Sequence, residues 1–165
     1  MLIRPEEPAD RASIAAITAA AFAEVDHSDQ SEPEIIARLR ASDELTISLV
    51  ATEDGAIIGH IAFSPVTIDG AHQGWFGLGP MAVEPGRQSG GIGSTLVREG
   101  LDRLRSQDAA GCLVLGDPAY YSRFGFATDS KLRYDGAPPA YFMRLQLSDR
   151  TLPEGGVEYA SAFSA

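Results

Sequence analysis

The amino-acid sequence predicts an α/β fold with a mixed sheet, in which an antiparallel meander is joined to a parallel β-α-β crossover. Three observations carry this reading. From Leu45 to about Val83 apolar and polar residues alternate, and two Asp-Gly pairs, Asp54-Gly55 and Asp69-Gly70, interrupt the alternation. Asp-Gly between alternating runs is a strong hairpin signal. The period then turns helical over residues 91–106, and the apolar run Cys112-Leu113-Val114-Leu115-Gly116 follows. A continuous apolar run suits a strand buried on both faces, and a strand–helix–strand connection of this length implies a parallel crossover.

Element by element, residues 2–5 read as a first strand ending at Pro5. A helix opens near Pro8, a residue suited to a first turn, and continues through Ile14, Ile17, Ala21 and Phe22 at helical spacing. Residues 24–30 are polar and form a loop. Ser31-Glu32-Pro33-Glu34 has the spacing of a capping box ahead of Ile35, Ile36 and Leu39, so a second helix runs to about Arg40. The meander follows: one strand to Thr52, a return strand through Ile57, Ile58, Ile61 and Phe63 towards Ile68, and a third from His72 to about Val83. The crossover helix sets Ile92, Leu96, Leu101 and Leu104 on one face. After the Cys112–Gly116 strand come a short helix around Pro118–Arg123, a loop at Ala137-Pro138-Pro139, a strand near Tyr141–Leu147, and a tail containing Val157 and Tyr159.

A chain of 165 residues with no linker or repeat suits one domain, residues 1–165. No apolar run approaches the roughly 18 residues that cross a bilayer. The N-terminus shows no secretory pattern, so the expectation is a cytoplasmic protein without a membrane partner. The net charge of −10 speaks against nucleic acid, which is gripped by clustered Lys and Arg. It is compatible with a cationic substrate and equally with simple solubility. Cys112 is the one cysteine and His27, His60 and His72 are scattered, so no disulfide and no metal site is expected. Cys112 reads as a buried structural thiol.

The run Gln88-Ser89-Gly90-Gly91-Ile92-Gly93-Ser94-Thr95 lies between a strand and a helix. Its glycines allow a ligand to approach the backbone closely, and the helix start turns amides and a positive dipole end toward the same place. This is an anion site, most simply for a pyrophosphate. It lacks the Gly-Lys-Ser/Thr of a P-loop and the G-x-G-x-x-G spacing of a dinucleotide fingerprint. Gly77-x-Gly79-x-x-Ala82 runs into strand-like residues rather than opening a helix, which argues against a nucleotide-binding oxidoreductase.

Leu78-Gly79-Pro80-Met81-Ala82-Val83-Glu84-Pro85 followed by Gln88-x-x-Gly91-x-Gly93 resembles the acetyl-CoA motif of the GNAT N-acetyltransferase superfamily. Tyr121-Ser122-Arg123-Phe124-Gly125-Phe126 resembles its Tyr-x-x-x-Gly-Phe element. Further pieces are similar to the YhbS-like bacterial subgroup: Ser48–Ala51, Gly59–Pro65, Leu115–Pro118 with Tyr120-Tyr121, and Glu158-Tyr159-Ala160-Ser161-Ala162-Phe163. The resemblance covers almost the whole chain and implies the GNAT acyl-CoA N-acyltransferase fold. It also implies an acetyl-CoA-dependent transferase without a metal, acting on a small-molecule or peptide amine. Dimers are common in the superfamily, so a homodimer is a candidate state.

The same resemblance implies residue roles. Backbone amides of Gln88, Gly90, Gly91, Ile92 and Gly93 would meet the pyrophosphate, with Ser89 in the same cofactor-binding loop and a hydroxyl from Ser94 or Thr95. On the strand Met81-Ala82-Val83, main-chain groups of Met81 and Val83 would pair with the pantetheine arm, and the N–H near Met81 or Ala82 would polarise the thioester carbonyl. Arg87 is the only cation beside the loop, less basic than in many superfamily members, so amides would carry most of the recognition. The spacing to Gly125 selects Tyr121 over Tyr120 as general acid for the leaving thiolate. The base is open between Glu84, Glu32 and an ordered water, with His60 better suited to a structural hydrogen bond. The rival reading from another class is an acyl-CoA-binding module without turnover.

Overall fold

A computed structural model describes residues 1–164. In chain order these form β1 (Leu2–Pro5), α1 (Arg11–Phe22), α2 (Glu32–Ala41), β2 (Ile47–Glu53), β3 (Ala56–Pro65), β4 (Thr67–Ile68), β5 (Trp75–Val83), α3 (Ile92–Ser106), β6 (Gly111–Leu115), α4 (Pro118–Tyr121), β7 (Leu132–Arg133), β8 (Phe142–Gln146) and β9 (Gly155–Glu158). Two compact units are present. The first comprises Met1–Phe63 and Gly79–Gly100, the second Ser64–Leu78 and the residues from Leu101 onward.

In the first unit β1, β2 and β3 pair antiparallel, with Ile3 opposite Ala51 and Leu49 opposite Ile61. Asp54 (φ 51°) and Gly55 (φ 81°) both turn left-handed, as a two-residue hairpin of the twist-matched type requires. Beyond β3 the strand order continues to β5, and the Glu84 amide bonds the Ile58 carbonyl at 3.0 Å. Val50 on β2 packs with Ile14 of α1 and Ile36 of α2. Helix α3 packs closely on β3: a Cβ at Gly59 would lie 3.0 Å from both Ile92 Cγ2 and Leu96 Cδ1, and one at Gly100 would overlap the Phe63 ring. Glycine at these two positions lets the helix start sit tightly against the strand, and the loop before it is fixed accordingly.

The capping box expected at Ser31 is not formed. Ser31 has near-helical backbone angles (φ −88°, ψ −5°) and makes no side-chain cap bond, and its hydroxyl donates to Asp29 Oδ1 at 2.5 Å instead. A capping interaction does occur before α1, where Asp10 Oδ2 accepts the Glu7 amide at 2.7 Å and Arg4 at 2.7 Å.

The second unit holds a mixed sheet. Trp75, Phe76 and Gly77 of β5 run parallel to Gly111, Cys112 and Leu113 of β6, and β6 runs antiparallel to β8. The unpredicted part is a small sheet in the order β4-β9-β7. The return strand expected to continue to Ile68 breaks at Pro65, and Thr67 and Ile68 pair with Glu158 and Val157. The third strand starts at Trp75 rather than His72, because Gly74 (φ 82°) interrupts the extended backbone. Val66, Ile68, Trp75, Leu113, Leu132, Phe142 and Val157 form this unit's core. Gly111–Val114 are buried as expected of a strand covered on both faces, but Leu115 is 38% exposed. The β5–β6 ladder ends at Gly77–Leu113, so Leu115 projects past its last rung. Cys112 is fully buried, and burial pushes its thiol well above the usual range.

Candidate active site

The candidate anion site lies in the first unit, where β5 ends and α3 begins. Met81 and Val83 are half-buried and Ala82 is buried. The chain then makes a tight 3-10 turn over Pro85–Arg87, with the Arg87 amide on the Glu84 carbonyl at 2.8 Å. Gln88 Nε2 donates to the Val83 carbonyl at 3.1 Å and ties the loop to the strand it leaves. Ser89 (φ 69°) and Gly91 (φ 87°) are both left-handed. A Cβ at Gly91 would meet nothing within 4 Å, so the space before the helix is open and the glycine answers a backbone requirement. Gln88, Ser89, Gly90 and Gly91 are exposed, Gly93 is half-buried, and Ile92 and Ser94 are buried.

Helix α3 begins its i→i−4 bonding with the Thr95 amide on the Gly91 carbonyl, 3.0 Å. The amides of Ile92 and Gly93 precede that first bond and have no carbonyl within the helix to meet. They point with the dipole toward the open space, an arrangement that favours an anion by about 0.3–1 kcal/mol at an exposed terminus. The Thr95 hydroxyl donates to the same Gly91 carbonyl at 2.9 Å, so its proton is spent inside the loop. Arg87 is likewise committed. Its NH1 lies 2.6 Å from Glu53 Oε1 and its Nε 3.0 Å from Glu84 Oε2, and the bond to Glu53 raises its pKa.

Of the candidate bases, Glu84 is exposed and held by Arg87, while Glu32 is half-buried at the first residue of α2. Both Glu32 oxygens receive the Ser28 hydroxyl, at 2.7 and 2.9 Å. His60 sits in a cluster that the sequence did not disclose, since its members come from residues 6, 40, 48 and 60. His60 Nε2 lies 2.8 Å from Ser48 Oγ, Ser48 donates its proton to Glu6, and Glu6 receives Arg40 Nε at 3.0 Å and its NH2 at 3.1 Å. Ser48 Oγ has then only a lone pair for the imidazole, which assigns the proton of neutral His60 to Nε2. Nδ1 is buried and has no partner among the described residues. Burial lowers the His60 pKa to about 4, so the ring is neutral at pH 7. Burial acts to raise Glu6, but the bonds from Arg40 and Ser48 keep its carboxyl below the usual value.

In the second unit Asp117 caps α4, accepting the Ala119 amide at 3.0 Å, and Tyr121 stands on the last turn. The half-buried Tyr121 ring packs on Gly116, where a Cβ would overlap it. Tyr120 meets it edge-on at 4.9 Å, and Phe126 does so at 5.8 Å. Burial raises the Tyr121 phenol above its ordinary value of 10.0, so it stays protonated at neutral pH. Gly125 (φ 99°) ends the following turn in the left-handed conformation that the Gly of the Tyr-x-x-x-Gly-Phe element supplies without strain. Among the described residues no group of three or more His, Cys, Asp or Glu is placed to hold a metal ion, and no helix is long and apolar enough to cross a membrane.

Comparison with known proteins shows the family to which the chain belongs. The profile of the acetyltransferase (GNAT) family matches residues 12–126. The uncharacterized N-acetyltransferase YhbS of Escherichia coli K12 is 39% identical over 171 residues, covering 99% of both chains. A crystal structure of a GNAT family acetyltransferase from Brucella melitensis in complex with acetyl-CoA is 51% identical, covers 98% of this chain and 97% of its own, and has a TM-score of 0.88. The crystal structure of E. coli YhbS in complex with CoA is 37% identical, covers 99% and 92%, and has a TM-score of 0.91. The chain belongs to the GNAT acetyltransferase family and, along its whole length, to the YhbS-like proteins within it.

Proposed function

We propose that this protein is an acetyl-CoA-dependent N-acetyltransferase, one domain over residues 1–165, that moves the acetyl group directly from the thioester to a primary amine. The observation that carries the reading is the start of α3, where amides without intrahelical partners face open space beyond the left-handed Gly91. A chain 51% identical was crystallised with acetyl-CoA, which supports filling that space with its pyrophosphate. In this reading the amides of Gln88–Gly93 hold the pyrophosphate. The Arg87 charge is already balanced by Glu53 and Glu84, and the Thr95 proton is spent, so both are secondary. Met81, Ala82 and Val83 offer main-chain groups to the pantetheine arm and the thioester carbonyl.

The amine nitrogen attacks the thioester carbon, the tetrahedral intermediate expels the thiolate, and Tyr121, kept protonated by burial, supplies the proton. An amine near pKa 10 must first lose a proton, to Glu32, Glu84 or an ordered water. Cys112 takes no part, because a fully buried thiol raised in pKa is a poor nucleophile. A small-molecule or peptide amine as acceptor, a cytoplasmic setting and a homodimer complete the proposal. Release of free thiol from acetyl-CoA with an amine panel tests it. Amine-dependent thiol release is expected, whereas CoA binding without turnover on any amine would favour a sensor module.

A further inference from the structure

Glu158, Tyr159, Ala160 and Phe163 of the closing segment, which the transferase reading leaves without a role, line a cavity of about 290 Å³ in the second unit. Three of its walls are aromatic. The Tyr159 ring lies 5.1 Å from that of Tyr134 at 73°, and 5.4 Å from that of Phe163 at 57°. Tyr134 also packs on Phe142 at 5.5 Å, and all three residues that line the hollow are half-buried, so part of each ring stays accessible. Gly136 also borders the hollow, and a Cβ there would overlap the phenol end of Tyr134. Any larger residue at that position would push the ring aside.

The rim is acidic. Asp135 and Glu158 line the cavity and are exposed, and neither side chain has an ion-pair or hydrogen-bond partner among the described residues. No Lys or Arg lines it. Aromatic faces carry the negative end of the ring quadrupole and attract cations, and two unneutralised carboxylates add to the same field. A neutral apolar ligand would gain from the walls but nothing from the rim. We propose that this cavity binds an organic ammonium ion, such as the charged end of an alkylamine or polyamine. The inference stands without acetyl transfer.

The test is a titration of the full-length protein, followed by amide chemical shifts at low salt, with n-butylammonium chloride and with n-butanol as its neutral counterpart. Butylammonium should give saturable shifts at Tyr134, Gly136 and Glu158, and butanol should not. Glu158→Gln with Asp135→Asn alters exposed side chains only and should weaken butylammonium by about tenfold while leaving the melting temperature unchanged. Gly136→Val should weaken it as well, through the displaced Tyr134 ring. Equal binding of butanol, affinity indifferent to the two carboxylates, or no saturable shift would each overturn the proposal. Such a failure would leave the thiol-release result untouched, since acetyl-CoA is absent from this experiment.

Discussion

Arg87 reaches back to Glu53, 34 residues earlier in the chain, and holds its carboxylate at 2.6 Å. The contact anchors the anion loop to the β2–β3 hairpin and at the same time neutralises the loop's cation, which Glu84 also binds at 3.0 Å. If amides do the recognising, Arg87→Ala should raise the KM for acetyl-CoA by no more than about threefold, the scale of an exposed, screened charge. Gly91→Leu should raise it by about tenfold or more. A side chain at φ 87° costs about 1–2 kcal/mol in backbone strain and projects into the open space before the helix. Initial-rate kinetics on both variants decide the matter, and the reverse ranking would show that charge, not backbone, holds the phosphates.

Gly100 and Phe63 set how closely α3 rests on β3. Alanine in a helix gains about 1 kcal/mol over glycine through propensity alone. Here the added methyl overlaps a ring that is fully buried and has nowhere to go. Overpacking should prevail, and Gly100→Ala should destabilise the protein by about 1–3 kcal/mol in chemical denaturation. Phe63→Leu in the same chain should recover part of that loss. Additive losses in the double variant would mean that the two residues do not share the site.

Much of the fold was legible because its signals are local. Asp54-Gly55 needs no partner to prescribe a turn, and Ile92, Leu96, Leu101 and Leu104 declare a helix face by spacing alone. What stayed hidden depends on residues distant in sequence. Thr67 and Ile68 leave the hairpin because Glu158 and Val157, ninety residues on in rough terms, supply an alternative strand edge. Ser31 carries the right neighbours for a capping box, yet Asp29 takes its hydroxyl. The anion loop could be read from its glycines, but the engagement of Arg87 by Glu53 could not, and neither could the chain from His60 through Ser48 to Glu6 and Arg40. Spacing reports backbone geometry well and side-chain partnership poorly.

His60 gives the protein a measurable acid sensitivity. Its folded pKa is about 4 against an ordinary 6.5, because burial outweighs the nearby Glu6 carboxylate, and Arg40 adds to the lowering. The unfolded chain therefore binds the imidazole proton more readily than the folded one does. The stability from keeping this ring neutral is fully present above pH 6.5 and is lost progressively as pH falls from there toward 4. A shift of this size corresponds to about 3 kcal/mol. Glu6 and Asp10, whose carboxyls lie below their usual values, lose stability in the same direction but only at lower pH. The interval from pH 6.5 to 5 thus isolates His60. Denaturant titrations across it should show a falling unfolding free energy in the wild type and a flatter line in His60→Gln. Parallel lines would remove His60 as the cause.

Tyr121 and Tyr120 stand side by side at 4.9 Å with rings at 90°, so they share surroundings and differ in direction. The general-acid role assigned to Tyr121 predicts a specific asymmetry. Tyr121→Phe keeps the ring against Gly116 and Phe126 while removing the proton, so kcat should fall by about 10²-fold with KM nearly unchanged. Tyr120→Phe keeps the ring, and Tyr120 has no assigned part in proton delivery, so kcat should stay within about twofold. The pH profile adds a second readout. Burial holds the Tyr121 phenol above 10.0, so the acid form persists and kcat should show no fall attributable to it between pH 7 and 10. Equal effects of the two substitutions would reduce Tyr121 to a packing residue, and the thiolate would then have to draw its proton from solvent.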